Sequence, residues 1–500
     1  MSGGKQNHRM VKYGVLCAVM FGIVVLVFTS SNALDHLGTP MIRFEKPRPL
    51  SSVSSCEPTD PKTLDRAWLL ELVERIRYFR ELWKIEDVEW KDFGISTDDY
   101  FKAVAQNESF ESLINTFREV LLTGRKLNIG LSGGSISTGM CVGPANLYIE
   151  RLKNNLQFIL GSPVVVENGA VGSIGSFVNV YCMDSFLSLE GIDLLFWEFA
   201  VNDFAINQTS CMEQELFTTK ALKLQGNPQL VYINLAFIRP WLERECNGNR
   251  SYAGICSRSL MRHYRVPSMD FRSVACSIAR KGRIEEFMCP MGPNAHPDIK
   301  FHTIVGSYLS RLIVNVLDEV VSTIQREMET SSSRVAETRV AETAVRDLPK
   351  PLFTTKRIEH CQCWSAALPP SGNNSPLIPK ESGTWKHLIR EMGWGRMDKK
   401  HKWMSTEANS TIVFSVTIDP FRKGALKLYL VINACKDCGH GKLWIDNLQP
   451  VEFDPSGKYA IGTTFQVQGK VSPGHHFVYV QASTPGLSVM ALLSGYESDQ

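Results

Sequence analysis

The sequence predicts an α/β domain built on a parallel sheet, followed by an all-β, sandwich-like domain and preceded by a membrane-spanning helix. Three observations predict this. Between residues 127 and 236, short apolar runs alternate with helical stretches, the pattern of a sheet covered by helices. From about residue 355, strand-like runs are separated by Pro/Gly/Asp-rich turns, which suits a β-sandwich. Residues 13–28 are almost unbroken apolar sequence behind Lys5, Arg9 and Lys12. A chain of 500 residues exceeds what one core usually fills, so two folded domains are expected. With 54 basic and 51 acidic residues, for a net charge of +3, a dedicated nucleic-acid binder is excluded.

The apolar segment leaves residues 1–12 as a cytoplasmic tail and places everything after residue 30 across the membrane, by the positive-inside rule. An uncleaved type II anchor over residues 13–30 is the expectation. A cleaved signal peptide ending near Ser31, Asn32 and Ala33 is the alternative. Both put the body of the chain in the secretory lumen or outside the cell, at the Golgi or cell surface for the anchored form. Sequons at Asn107, Asn207, Asn249, Asn373 and Asn409 permit glycosylation there. Of 13 cysteines, Cys17 lies in the apolar segment, and the remaining even number suits disulfides in an oxidising lumen. Cys361 with Cys363, and Cys435 with Cys438, have zinc-compatible spacing. No histidine ligand pattern accompanies them, so disulfides are favoured and no metal or cofactor is expected.

Residues 31–60, rich in proline and serine, read as an extended stem. Residues 61–125 read as a helical lead-in that packs on the catalytic domain. There Leu64, Trp68, Leu69, Leu72 and Ile76 recur at helical spacing, and a second helix is expected over 110–123. In the central domain, residues 126–326, strands are expected at 127–131, 163–166, 193–199 and 229–236. Helices are expected at 146–154, 213–224 and 302–319. A linker at 327–354 contains the direct repeat Arg-Val-Ala-Glu-Thr from Arg334 and again from Arg339. The β-domain, residues 355–500, has strands expected at 411–418, 425–432, 463–467 and 476–481. Trp385, Trp394 and Trp403 serve there either as packing or as a carbohydrate-binding face.

Four polar clusters follow strand ends, where open parallel sheets bind ligands. Ser135 lies in the turn Gly133-Gly134-Ser135. Gly172 lies in the glycine turn that begins at Glu167, Asn168 and Gly169. Asn202 and Asp203 follow the third strand, and His296 precedes Pro297. Acyl transfer through serine needs a hydroxyl, a base and oxyanion donors. Ser135 can supply the first and His296 the second. The N–H groups of Ser135 and Gly172 and the uncharged amide of Asn202 can supply the donors. Ser137 is an alternative nucleophile on the same turn. Asp203 reads as a turn or capping residue, His302 as a hydrogen-bonded structural histidine and His263 as a surface residue. A phosphate-binding loop is excluded because no G-K-[ST] follows Gly139.

The order G-G-S, N-G-x-x-G, V-N-D and H-P resembles the four blocks of the SGNH (GDSL-type) hydrolase superfamily. The likeness spans roughly residues 126–326, and the spacing of His296 and His302 also resembles the family ending. It implies a three-layer α/β/α sandwich. It also implies Ser135 as nucleophile, Gly172 and Asn202 as oxyanion donors, His296 as base, and cleavage or transfer of acyl groups, often acetyl groups on sugars. Three departures stand out. Gly134 replaces the usual aspartate, Ala200 the usual glycine, and Pro293 occupies the position of the triad acid. Asn294, Asp298 or a backbone carbonyl remain as groups that could orient His296. Losing the acid of a serine triad costs on the order of ten-thousand-fold in rate but leaves substantial catalysis. The expected function is therefore an SGNH-type esterase or O-acyltransferase acting on an ester-bearing, acylated glycan. The alternative is a catalytically inactive glycan- or protein-binding membrane protein.

Overall fold

Five parallel strands form the centre of the α/β domain, in the order β2-β1-β3-β4-β5. They are β1 (Leu127–Gly133), β2 (Val164–Asn168), β3 (Leu194–Glu198), β4 (Gln229–Asn234) and β5 (Ser268–Asp270). This computed structural model describes residues 66–499 apart from 105–109, 189, 207–210, 236–245, 247–251, 290–295, 331–347, 368–374, 390, 393–395, 398–400, 422–424, 435–437, 457–460, 468 and 470. The apolar segment expected to cross the membrane, the stem and four of the five sequons lie outside the described residues. The remaining sequon asparagine, Asn409, is exposed in a turn. Among the described residues no helix is long and apolar enough to cross a membrane.

The strands are apolar on both faces, as strands sandwiched between helices must be. Leu194 and Phe196 face one core, and Leu195 and Trp197 face the other. The first core is covered by α1 (Arg66–Lys91), α2 (Thr97–Val104), α3 (Glu111–Thr123), α4 (Tyr148–Leu160) and the long helix Ile299–Thr330. Leu69, Leu72 and Ile76 on α1 are buried there with Phe79, Trp83 and Trp90, so the helical lead-in is part of the domain. The second face carries α5 (Ser176–Phe186), α7 (Met212–Ala221) and the helix Tyr252–Tyr264. Between β3 and α7 runs the short helix α6 (Ala200–Ile206). The three-residue strand β5 and the helices α5 and α6 carry too little periodicity to be found from sequence. α5 is buried along most of its length, from Val178 to Met183, so its sequence shows no single apolar face.

The β-domain is built on a seven-stranded and a five-stranded sheet, with a further two-stranded pair, and the two large sheets enclose their own core of residues such as Phe414, Leu430, Val480 and Leu492. The observed strands include Ser410–Ile418, Ala425–Ala434, Ile461–Gln466 and Gly474–Ala482. The two domains share buried surface. Val431, Met490, Ala491 and Leu493 of the seven-stranded sheet share a core with α5, α7, β3 and β4. Phe177 and Tyr181 pack on Tyr429, and a disulfide joins Cys182 on α5 to Cys363 on β6 (Lys356–Ser365). Buried Glu215 on α7 accepts the backbone N–H groups of Leu352, Phe353 and Thr354 and the Tyr264 hydroxyl. That one carboxylate pins the entry into the β-domain.

The remaining disulfides are Cys141–Cys289, Cys211–Cys256 and Cys246–Cys276, and Cys438 is disulfide-bonded as well. Among the described residues Cys363 pairs across domains, and Cys361 is a free thiol. Trp385 is buried, and Trp403 donates its indole N–H to the Leu377 carbonyl, so both serve packing. Trp394 lies outside the described residues. His263 is half-buried rather than on the open surface, with its ring nitrogen 2.7 Å from the Lys350 carbonyl.

Candidate active site

Register brings the site together. Leu131 of β1 lies opposite Asn168 of β2, and Gly133 lies opposite Glu198 of β3. The three loops that leave these carboxyl ends are therefore neighbours. Backbone bonds then lock them. Val171 N–H donates to the Gly133 carbonyl at 3.0 Å and Gly134 N–H to the Glu198 carbonyl at 3.0 Å. The Asn168 amide reaches the Ser137 carbonyl at 2.8 Å.

Half-buried Ser135 places its Oγ 2.7 Å from Nε2 of His296, 161 residues away in sequence. The histidine segment is tied to the nucleophile turn covalently. Cys141, six residues after Ser135, is bonded to Cys289, whose N–H donates to the His296 carbonyl at 3.0 Å. The sequence carried a signal for this tie, since each of the two cysteines flanks a site block. Asn202, on the first turn of α6, is buried and donates one amide hydrogen to the Ile174 carbonyl at 2.7 Å. A side-chain amide has two such hydrogens. Gly172 is buried in the loop between β2 and α5. The four predicted site residues thus occupy one cluster of loops at the carboxyl edge of the sheet.

No family model and no curated relative matches the sequence. Solved structures do resemble the fold. A two-domain esterase (CEX) active on acetylated mannans, co-crystallised with mannopentaose, superposes with a TM-score of 0.54 at 16% identity. The match covers 80% of this chain and 99% of that one. A second structure of that esterase gives 0.53 over 79% of this chain and 98% of the other, also at 16% identity. A lipase/acylhydrolase from Enterococcus faecalis matches 38% of this chain and 96% of its own length, with TM-score 0.31 and 14% identity. At this identity the likeness is one of fold, shared with that two-domain esterase over most of both chains.

The absence of a side chain at Gly134 has a steric cause. A Cβ at Gly134 would lie 2.5 Å from Asn202 Oδ1 and 2.8 Å from its Nδ2, so the asparagine amide packs directly on this residue. At Gly133 a Cβ would meet Ser137 Oγ at 2.6 Å. Pro293 and Asn294 lie outside the described residues. Asp298 caps the helix Ile299–Thr330, accepting the Phe301 N–H at 3.1 Å; burial pushes its carboxyl up to about 6. Asp203 accepts Ser176 N–H and Oγ–H, both at 2.7 Å, and so caps α5.

His302 is structural by packing, not by hydrogen bonding as expected. It stacks on Tyr148 with ring centroids 5.7 Å apart, and both of its ring nitrogens are buried without a hydrogen-bond partner among the described residues. Burial, with a smaller contribution from His296, pushes it down to about 3. It therefore stays neutral.

Ser137 is not placed as a nucleophile. Its hydroxyl is buried, 2.8 Å from Glu198 Oε2 and 2.6 Å from the Tyr148 hydroxyl. Sequence reasoning missed this network, because an apolar strand ending in one glutamate gives no sign that the acid is buried beneath the serine turn. Burial, against hydrogen bonds from Ser137 and Gly134, pushes Glu198 up to about 8. The folded protein therefore holds a proton that the unfolded chain releases near pH 4.5. By linkage, this group's contribution is most favourable below that pH and declines as pH rises toward 8. Glu198→Gln, which cannot ionise, should melt closer to wild type, or above it, at pH 8 than at pH 5.5. Melting curves at the two pH values check this, and an equal difference at both would overturn the assignment.

Proposed function

We propose that this chain is a serine esterase or acyltransferase of the SGNH type, acting on ester-linked acyl groups, acetyl above all, carried by glycans in the secretory pathway. The observation that carries the reading is the 2.7 Å contact between Ser135 Oγ and His296 Nε2, beside an asparagine amide and a glycine loop. Ser135 attacks the acyl carbonyl while His296 Nε2 takes the hydroxyl proton. Charge develops on the carbonyl oxygen and is met by the N–H groups of Ser135 and Gly172 and the second Asn202 amide hydrogen. His296 then returns the proton to the leaving sugar oxygen, and an acyl-Ser135 intermediate remains. Water completes hydrolysis, or an acceptor hydroxyl completes transfer.

The glycan assignment draws on the two-domain likeness to an esterase described as active on acetylated mannans. Disulfides within and between the domains suit a lumenal or extracellular setting, with anchorage through residues 13–30. The test is labelling of the purified full-length protein by a fluorophosphonate, with p-nitrophenyl acetate turnover beside it. Wild type is expected to label and to turn over, and Ser135→Ala to do neither. Wild-type protein that neither labels nor turns over ester would favour the binding-protein alternative.

A further inference from the structure

We infer that Gly462, on the β-domain, is a positioning residue for the oxyanion hole, holding the Gly172 loop through the Ser173 carbonyl. The inference rests on the esterase reading above and extends it to a second domain.

The strand Ile461–Gln466 lies at one end of the seven-stranded sheet and pairs with Ala425–Ala434 on one side only. An edge strand presents backbone N–H groups with no strand to receive them. Here one is used. Gly462 N–H donates to the carbonyl of Ser173 at 2.5 Å. Ser173 is buried and has φ +68, a left-handed conformation that a residue with a side chain adopts only when its surroundings impose it.

The bond completes a set of restraints on both sides of Gly172. Upstream, Val171 N–H is held by the Gly133 carbonyl of the nucleophile turn. Downstream, the Ser173 carbonyl is held by Gly462, the Ile174 carbonyl by Asn202, and the Ser176 N–H by Asp203. All of these restraints except Gly462 come from the α/β domain itself. Close approach also explains the residue type. A Cβ at Gly462 would lie 3.0 Å from the Ser173 oxygen and 3.3 Å from Val431 Cγ1. Beyond the loop, the Cys182–Cys363 disulfide and the packing of Phe177 and Tyr181 on Tyr429 prevent the strand from drifting away. Oxyanion donors act only when aimed before the charge forms, so a restraint on this loop acts on the transition state and not on ground-state binding.

The experiment compares Gly462→Ala with Gly441→Ala in the full-length protein. Gly441 is a control in the five-stranded sheet, where a Cβ would crowd Phe453 and Leu487. Both are assayed well below their melting temperatures. Gly462→Ala is expected to lower kcat for p-nitrophenyl acetate about 10- to 100-fold with KM within twofold. Fluorophosphonate labelling of Ser135 should slow in parallel, while Gly441→Ala keeps wild-type kcat. Wild-type kcat in Gly462→Ala overturns the inference, and so does an equal loss in Gly441→Ala. A wild-type protein that never labels at Ser135 overturns the esterase reading and this inference together. Normal labelling unmoved by Gly462→Ala overturns this inference alone.

Discussion

His296→Ala should lower kcat for p-nitrophenyl acetate by roughly 10⁴-fold or more while leaving KM within a few-fold. In the mechanism proposed above, the ring whose Nε2 lies 2.7 Å from Ser135 Oγ is the base for attack and the acid for departure. Its loss removes interactions made during chemistry and not during binding. Because serine and histidine act as one unit, the Ser135→Ala/His296→Ala double variant should be no slower than either single variant. A product of the two individual losses would show that the residues act separately. Melting temperature provides the internal check. His296 is buried, so some destabilisation accompanies the change, but the Cys141–Cys289 bond keeps its segment on the turn. Steady-state kinetics of the folded variants decide the matter.

Gly134→Ala is the second large effect, expected at roughly 10²- to 10³-fold in kcat/KM, comparable to losing one oxyanion donor. The added methyl would sit within 2.8 Å of the Asn202 amide and must push it off its position. Asn202 is also held by the Ile174 carbonyl, so displacement disturbs the Gly172 loop as well. Overpacking of this kind costs about 1–3 kcal/mol of stability, which a denaturant titration resolves from the kinetic loss. A double-mutant cycle with Asn202→Ala tests the cause. If the methyl acts through the asparagine, Gly134→Ala should cost little more once Asn202 is alanine. Full additivity would place the defect elsewhere on the turn. The same geometry accounts for the absence of any side chain at this position. The amide of Asn202 occupies the space that a side chain there would need.

Much of the site was legible in the sequence because its parts are local. A strand that ends in Gly-Gly-Ser, a strand that ends in Asn-Gly, and a strand followed by Val-Asn-Asp each announce themselves through an apolar run broken by turn residues. In a parallel sheet such ends must share an edge. The sequence by itself therefore determined the α/β class, the four central strands from β1 to β4, four of the strands of the β-domain and Ser135, Gly172, Asn202 and His296 as candidates. It could not determine what depends on partners distant along the chain. Burial of Glu198 beneath Ser137, the pairing of Cys363 with Cys182, the stacking of His302 on Tyr148 and the bond from Gly462 to Ser173 each join segments that no local pattern links. Periodicity reports which face of an element is apolar. Which element covers that face, and which edge N–H meets which strained carbonyl, is decided only when the sheets pack.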